Sequence, residues 1–368
     1  MNYICLDCGN KYALDSCAWK CTCGGLLNLD YKKKPIDFDF TSKSKNHSLW
    51  KYIDALPFEK EDCWADLTMG EGGTPLISVD KNLYAKADYF MPTLSFKDRG
   101  AVVLISMAKK LGIESVVADS SGNAGTAIAA YSARAKIKCN VFVPDSTSAK
   151  KIAQIKAHGA LINMIPGSRE DTAKAAIDME DKTKLFYASH IYNPLFWEGT
   201  KTYFYEVFEQ LNGVMPDAFI IPVGNGTLLM GAYIAFKEML GWGVIDKIPK
   251  ILAVQAENCA PILKAFTSGM DKVDYCENKG TLAEGIAIAA PARGSEILKA
   301  IRESNGDIIG VSEKSILEAR KELAYKGIYV ELTSAANYAG YCEYIKKYPE
   351  LKDSVLVFPL CGAGIKSS

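Results

Sequence analysis

With 368 residues, 49% of them hydrophobic and 23% charged, the chain has room for two core-forming units and the balance of a water-soluble globular protein. Its 43 basic side chains are matched by 43 acidic ones, so no net charge draws it to nucleic acid or to an acidic membrane surface. No apolar run approaches the roughly 20 residues of a membrane span, and eleven cysteines without the dense spacing of a disulfide scaffold indicate reduced thiols in a cytoplasm.

The chain opens on a cysteine pair rather than on a basic, then apolar, leader. Cys5-x-x-Cys8 and Cys21-x-Cys23, followed by Gly24 and Gly25, are spaced for a small zinc ribbon over residues 1–30. Zinc takes four thiolates in a tetrahedron, and two tight cysteine turns can supply them. The second pair is one residue shorter than the usual C-x-x-C, and Cys17 is near enough to replace one of the four. A reduced, metal-free hairpin is the alternative. Four thiolates leave no open position for chemistry, so zinc here would be structural.

Residues 30–68 read as a mixed connector containing Lys32-Lys33-Lys34-Pro35, and Gly70-Glu71-Gly72-Gly73-Thr74-Pro75-Leu76 follows. Next comes Pro92-Thr93-Leu94-Ser95-Phe96-Lys97-Asp98-Arg99-Gly100. Ser95 and Asp98 fit an S-x-x-D helix start before the apolar run Ala101 to Met107, which places Lys97 just inside a predicted helix. From there strand-like and helical runs alternate. The strands are predicted at Ser115–Ala118, Lys138–Val143, Leu161–Ile165, Leu185–Ala188, Ala218–Ile221, Ile251–Gln255 and Val355–Leu360. The helices are predicted at Thr126–Ala133, Ala149–Ala157, Ser168–Met179, Lys201–Leu211, Leu228–Leu240 and Lys314–Tyr325. Such alternation predicts an α/β protein with parallel sheets covered by helices. We expect a smaller domain at 101–195 set into a larger one formed by 31–100 and 196–368, with a ligand cleft between them.

Two glycine-rich turns each fall between a strand and a helix: Ser120-Ser121-Gly122-Asn123-Ala124-Gly125 and Pro222-Val223-Gly224-Asn225-Gly226-Thr227. Glycine lets the backbone approach a ligand, and free N–H groups at a helix start bind anions. One loop suits a carboxylate and the other a phosphate. A desolvated lysine amine can form a Schiff base with a carbonyl cofactor. Together the three features describe an enzyme that applies pyridoxal phosphate to amino acids. A dinucleotide site is a poorer reading of the second turn, because after Gly224-x-Gly226 the third glycine falls only at Gly231. Lys97 on a solvated helix face and glycines in purely structural turns are the plain alternatives.

The blocks PTLSFKDRG, SSGNAG, PVGNGT and GEGGTPL resemble, in family order, the signatures of threonine synthase and its relatives. These are fold type II pyridoxal-phosphate enzymes with the tryptophan-synthase-β-like fold, and the resemblance spans essentially the whole chain. It implies Lys97 as the Schiff-base lysine and general base, and Asn123 as partner of the cofactor's phenolic oxygen. It implies Gly224, Asn225, Gly226 and Thr227 as the phosphate cup, with Ser121, Gly122, Ala124 and Gly125 receiving the substrate carboxylate. Leu360-Cys361-Gly362-Ala363-Gly364-Ile365-Lys366 resembles the family's T-G-x-G-L-K, whose threonine meets the ring nitrogen; here Cys361 stands there. A thiol is a weak donor and acceptor, which suits elimination and replacement over transamination. Asn193-Pro194 with Glu198 to Thr202 resembles the family's NP…EGxKT block.

The implied activity is conversion of O-phosphohomoserine to threonine and phosphate. Thr93, Ser95, Ser148, Lys151, Asn193 and Lys201 are candidates for holding the leaving phosphate or shaping the pocket, and Glu284 for meeting a substrate hydroxyl or cofactor oxygen. His190 reads more readily as a satisfied loop histidine. Three positions depart from the family pattern: Leu94 where glycine is usual, Cys361, and Thr281 to Ile286, which looks more like the block of serine and threonine dehydratases. Alternatives therefore stay open: β-replacement on O-phosphoserine by a cysteate-synthase-like paralogue, a serine/threonine-type ammonia-lyase, and a cofactor-binding protein without turnover. Enzymes of this kind often pair, so a homodimer is expected.

Overall fold

The computed structural model describes residues 1–366. Its strands, in chain order, are β1 (Asn2–Cys5), β2 (Lys11–Ala13), β3 (Leu27–Asp30), β4 (Leu76–Asp80), β5 (Leu83–Lys86), β6 (Ser115–Ala118) and β7 (Lys138–Pro144). They continue with β8 (Leu161–Ile165), β9 (Phe186–Tyr187), β10 (Ala218–Pro222), β11 (Lys250–Ala256), β12 (Asp307–Val311) and β13 (Leu356–Pro359). Two compact units result. One comprises residues 1–36, 44–71 and 97–199, the other 37–43, 72–96 and 200 onward. The stretch 44–71, expected with the larger domain, packs with the smaller sheet.

In the first unit, a four-stranded parallel sheet runs β8-β7-β6-β9, and the N-terminal ribbon is a three-stranded antiparallel sheet in the order β2-β1-β3. Val116, Val117, Ala118, Val141 and Val143 are buried, as expected of strands covered on both faces. The helix Lys97–Lys110 buries everything from Asp98 to Ala108. Its first turn is locked in place. A Cβ on Gly100 would lie 2.2 Å from the Phe196 ring, and one on Gly199 would lie 1.9 Å from the carbonyl oxygen of Arg99. The fully buried Glu71 carboxylate accepts from Trp50 Nε1 (2.7 Å), Thr68 Oγ1 (2.8 Å), the Met69 amide (2.8 Å) and Tyr131 OH (3.0 Å). Four donors around one buried anion satisfy it and clamp the largely irregular 44–71 stretch to the helix Asn123–Ala135.

The second unit holds a six-stranded sheet in the order β12-β11-β10-β13-β5-β4, parallel except for the β4–β5 pair. Its core joins Leu83 and Ala85 of β5 to Val254, Phe358 and the helix Leu332–Lys347. That helix lies close on the sheet because a Cβ on Gly340 would come within 2.4 Å of Val254. A buried ion pair, Lys86 to Glu206 at 2.7 Å, grips the Gly72–Pro75 turn. Lys86 Nζ also donates to the Thr74 carbonyl (2.5 Å), and Glu206 accepts from the Gly73 amide (3.0 Å). No helix among the described residues is long and apolar enough to cross a membrane.

Candidate active site and metal centre

Lys97 is the first residue of its helix and half-buried, with Nζ 5.7 Å from the centre of the Phe196 ring. The expected cap is absent: Ser95 is fully buried and, among the described residues, its hydroxyl has no hydrogen-bond partner. The backbone decides its place instead. Ser95 bridges to Gly362, and the Phe96 amide donates to the Cys361 carbonyl (3.0 Å). The residues leading into Lys97 are thereby tied to the end of β13.

His190 packs edge-on to Phe196 at 5.9 Å and is buried. Burial first, then the Lys97 and Arg169 charges, hold its pKa well below the usual histidine range, so it stays neutral. Asp119, at the end of β6, is pushed up by burial and eased down by Arg169; one carboxyl oxygen has no partner, and the Tyr187 hydroxyl lies beside it without closing a hydrogen bond. Arg169 opens the helix Arg169–Thr183 and is exposed, and among the described residues no hydrogen bond or ion pair engages it.

Asp119 leads into Ser120 to Gly125. Gly125 cannot carry a side chain, since its Cβ would sit 1.7 Å from the Ser120 carbonyl oxygen. Gly122 has an extended backbone with open space where a Cβ would be, while Ser121 and Asn123 are half-exposed and Ala124 is buried. The helix Asn123–Ala135 begins here, so the amides of its first turn belong to this loop. Ser148, exposed, occupies the cap position of the helix Ala149–Ala157; its carbonyl accepts the Ile152 amide (3.2 Å) but its side chain makes no cap bond, and Lys151 is half-buried. Asn193 is buried and its Oδ1 accepts the Leu195 amide (3.1 Å), which makes it a turn former.

In the second unit, Gly224 to Thr227 link β10 to the helix Thr227–Gly241. Gly226 is left-handed (φ 74°), and a Cβ on Gly224 would lie 2.9 Å from the Gly285 carbonyl oxygen. Thr227 is buried and Asn225 half-exposed. Gly231, the late third glycine, is a packing glycine: a Cβ there would meet Thr200 Oγ1 at 2.4 Å. The turn Glu284–Ile286 underlies this loop, with Glu284 exposed and the Gly285 amide donating to Thr333 Oγ1 (3.1 Å). Cys361 is fully buried. Asn337 Nδ2 donates to the Pro359 carbonyl (2.9 Å) and stands 4.0 Å from Cys361 Sγ, while Asn337 Oδ1 is buried with no partner among the described residues.

Two other positions read differently in three dimensions. Lys201 is a structural cation, fully buried and paired with Glu238 at 3.0 Å. Leu94 adopts φ 61° and is exposed, its carbonyl accepting the Ala363 amide (3.1 Å), so the backbone keeps a glycine-like conformation under a leucine side chain. Thr93 is buried, and its carbonyl accepts from Lys366 Nζ (2.7 Å). Asn337, Asp119 and Arg169 were missed. A lone asparagine in an alanine-rich helix, and an acid just before a glycine turn, were the signals available.

The residues present fit a phosphorylated aldehyde cofactor. An amine opens one helix, a glycine-only turn opens another, and Ser95 and Asn337 keep buried polar atoms without partners among the described residues. The cysteines fit zinc equally well. The thiol sulfurs of Cys5, Cys8, Cys21 and Cys23 lie within 4.8 Å of one another, with Cys5–Cys23 at 3.6 Å and Cys8–Cys21 at 3.5 Å. Tetrahedral zinc with bonds of about 2.3 Å needs sulfurs about 3.8 Å apart. Cys17 turns aside toward the Asp15 carbonyl and is not among the four.

Residues 67–362 match the family described as pyridoxal-phosphate dependent enzyme. The threonine synthase of Methanosarcina acetivorans is 38% identical over 91% of this chain and 85% of its own length. That of Methanocaldococcus jannaschii is 36% identical over 98% and 92%. A fungal L-serine ammonia-lyase from Rhizomucor miehei shares the fold, with a TM-score of 0.70 over 79% of this chain and 93% of that one, at 21% identity. The chain belongs to the threonine synthase family of pyridoxal-phosphate dependent enzymes.

Proposed function

We propose that the protein converts O-phosphohomoserine and water to threonine and inorganic phosphate. The observation that carries this is identity of 36–38% with proteins named threonine synthase along nearly the whole chain. Lys97, held at its helix start by Gly100 and Gly199, anchors the cofactor and takes the α proton as general base. When bound, pyridoxal phosphate supplies a ring that withdraws electrons from the substrate Cα. The Gly224–Thr227 turn receives the cofactor phosphate on its amides, and Asn123 takes the phenolic oxygen. The Ser121–Gly125 loop binds the substrate carboxylate. Cys361, with only a weak thiol donor, leaves the ring nitrogen without a proton.

For the leaving phosphate, the exposed and unengaged Arg169 is a better candidate than the buried Lys201; Ser148 and Lys151 follow the neighbouring strand β7. Neutral His190 beside Lys97 keeps the amine's surroundings free of a second cation. We further propose a cytoplasmic homodimer acting on this phosphorylated amino acid.

A second reading, deamination of a hydroxy amino acid, is favoured only by Glu284 in the dehydratase-like Thr281–Ile286 stretch. One assay separates the readings. Free phosphate with threonine supports the proposal, whereas ammonia with a 2-oxo acid, or phosphate only when a nucleophile is added, would replace it. Lys97→Ala should abolish turnover and borohydride-fixable attachment of the cofactor; unchanged attachment would show that another lysine holds it.

A further inference from the structure

Trp19 wedges the N-terminal ribbon against the body. Trp19, between Cys17 and Cys21, sets its ring edge-on to Tyr187 (5.3 Å, 89°) and to Tyr192 (5.1 Å, 66°). Its Nε1 donates to Glu180 Oε2 at 2.9 Å, a nearly buried carboxylate on the helix Arg169–Thr183. The core it completes is small: Val117, Phe142, Ala176 and Tyr187 are its buried members, and Trp19 and Tyr192 close it. A second ribbon residue, the buried Tyr3, presses toward Asn193.

The wedge lands at a weak place in the fold. Tyr187 ends β9, an edge strand of two residues that, among the described residues, pairs with β6 alone, through Val116 and Val117. The loop after it carries His190 and Tyr192 and ends at Asn193-Pro194. Bonds within the loop shape its turn, the Ser189 hydroxyl accepting the Ile191 (3.3 Å) and Tyr192 (3.4 Å) amides and the Ser189 carbonyl the Asn193 amide (3.1 Å). The short ladder and the bond from the Ala188 amide to the Val117 carbonyl (2.8 Å) tie it to β6, and side-chain packing adds to that hold. On one flank that packing is Trp19. On the other it is Phe196, against which both His190 and Lys97 rest.

We infer that Trp19 is a positioning residue: the four-cysteine ribbon holds its indole against Tyr187 and Tyr192 and so fixes the 188–194 loop beside Lys97. The ribbon is then coupled to turnover through this loop rather than being a separate stabilising module. Filling the thiolate centre tightens the turns on both sides of Trp19, and emptying it loosens the wedge. The inference rests on the threonine-forming reading only for its kinetic measurement.

The test uses the full-length holoenzyme with Trp19→Ala, Trp19→Phe and the zinc-poor Cys8→Ser variant. Trp19→Ala should lower kcat/KM by about 10- to 100-fold, and Trp19→Phe, which keeps the ring contacts, should recover most of it. The decisive readout is the imidazole proton resonance of His190, one of three histidines in the chain. Buried, and facing Lys97 and Arg169, it should stay neutral, and its resonance silent, through the range in which an ordinary histidine titrates in the native protein. It should titrate near the ordinary value in Trp19→Ala and in Cys8→Ser once the loop admits water. Lost thermal stability with a still-silent His190 would make Trp19 a packing residue only and overturn the inference, as would native kcat/KM in Trp19→Ala. If Trp19→Ala does not fold, Trp19→Leu takes its place under the same criteria. Absence of threonine formation by the native enzyme would strike the functional reading alone, because the resonance still decides the coupling.

Discussion

The two glycine turns share one plan, strand to loop to helix start, yet their glycines answer to different masters. In the loop around Gly224, the protein itself forbids side chains: Gly226 is left-handed, and Gly224 is pressed against the Gly285 carbonyl. In the loop around Gly122, the strict demand sits deeper, at Gly125, while Gly122 faces open space with an ordinary extended backbone. Nothing within the chain crowds a Cβ at Gly122, and under the proposed function that space is assigned to the substrate carboxylate. On that proposal, one sequence signature mixes glycines required by the backbone with one serving a ligand.

Substitutions can break this distinction. Gly125→Ala should be the most damaging, at more than about 4 kcal/mol in urea unfolding, because a backbone carbonyl cannot step aside. A folded, active variant would refute the assignment. Gly226→Ala should cost about 2 kcal/mol, from the left-handed conformation plus displacement of the Ile297 side chain. Weaker retention of cofactor should accompany that loss, measured by dialysis. Gly122→Ala sharpens the contrast, since stability should move by less than about 0.5 kcal/mol while KM for the amino-acid substrate rises about tenfold, or about 1.4 kcal/mol. Equal loss in both would place Gly122 with the structural glycines. The smallest effect is predicted for Leu94→Gly. Relief of left-handed strain offsets the greater freedom of the unfolded chain, so the unfolding free energy should shift by under about 1 kcal/mol in urea unfolding.

The strand Ser115–Ala118 was legible because an apolar run buried on both faces leaves little else to read, and the edge strand Leu161–Ile165, though Leu161 and Met164 are exposed, was legible from its apolar composition alone. Helices with one wet face were equally clear, as at Ala149–Ala157. The helix Leu332–Lys347 escaped notice because Thr333 to Gly340 are buried, which erases the polar stripe on which periodicity depends. The hairpin strands β4 and β5 were missed: β4 buries none of its residues and ends on Asp80, and β5 ends on Lys86, so neither shows the unbroken apolar run that marked β6. At the site, motif residues could be located in sequence, but partnership could not. Ser95 looked like a cap and its hydroxyl has no partner among the described residues, and Lys201 looked like a ligand and is half of a buried pair. Arg169 could not be found at all, since a charge at a helix start is ordinary until the fold brings Asp119 and His190 near it.

Glu71 has a consequence beyond its own neighbourhood. One carboxylate gathers donors from Trp50, Thr68, Met69 and Tyr131, so the irregular stretch running on from the ribbon is riveted to the scaffold instead of trailing from it. Amide protons from 48 to 70 should therefore exchange in step with those of the helix Asn123–Ala135, as one cooperative block. A pull on the N-terminal fingers would then be felt by the scaffold as load, not slack.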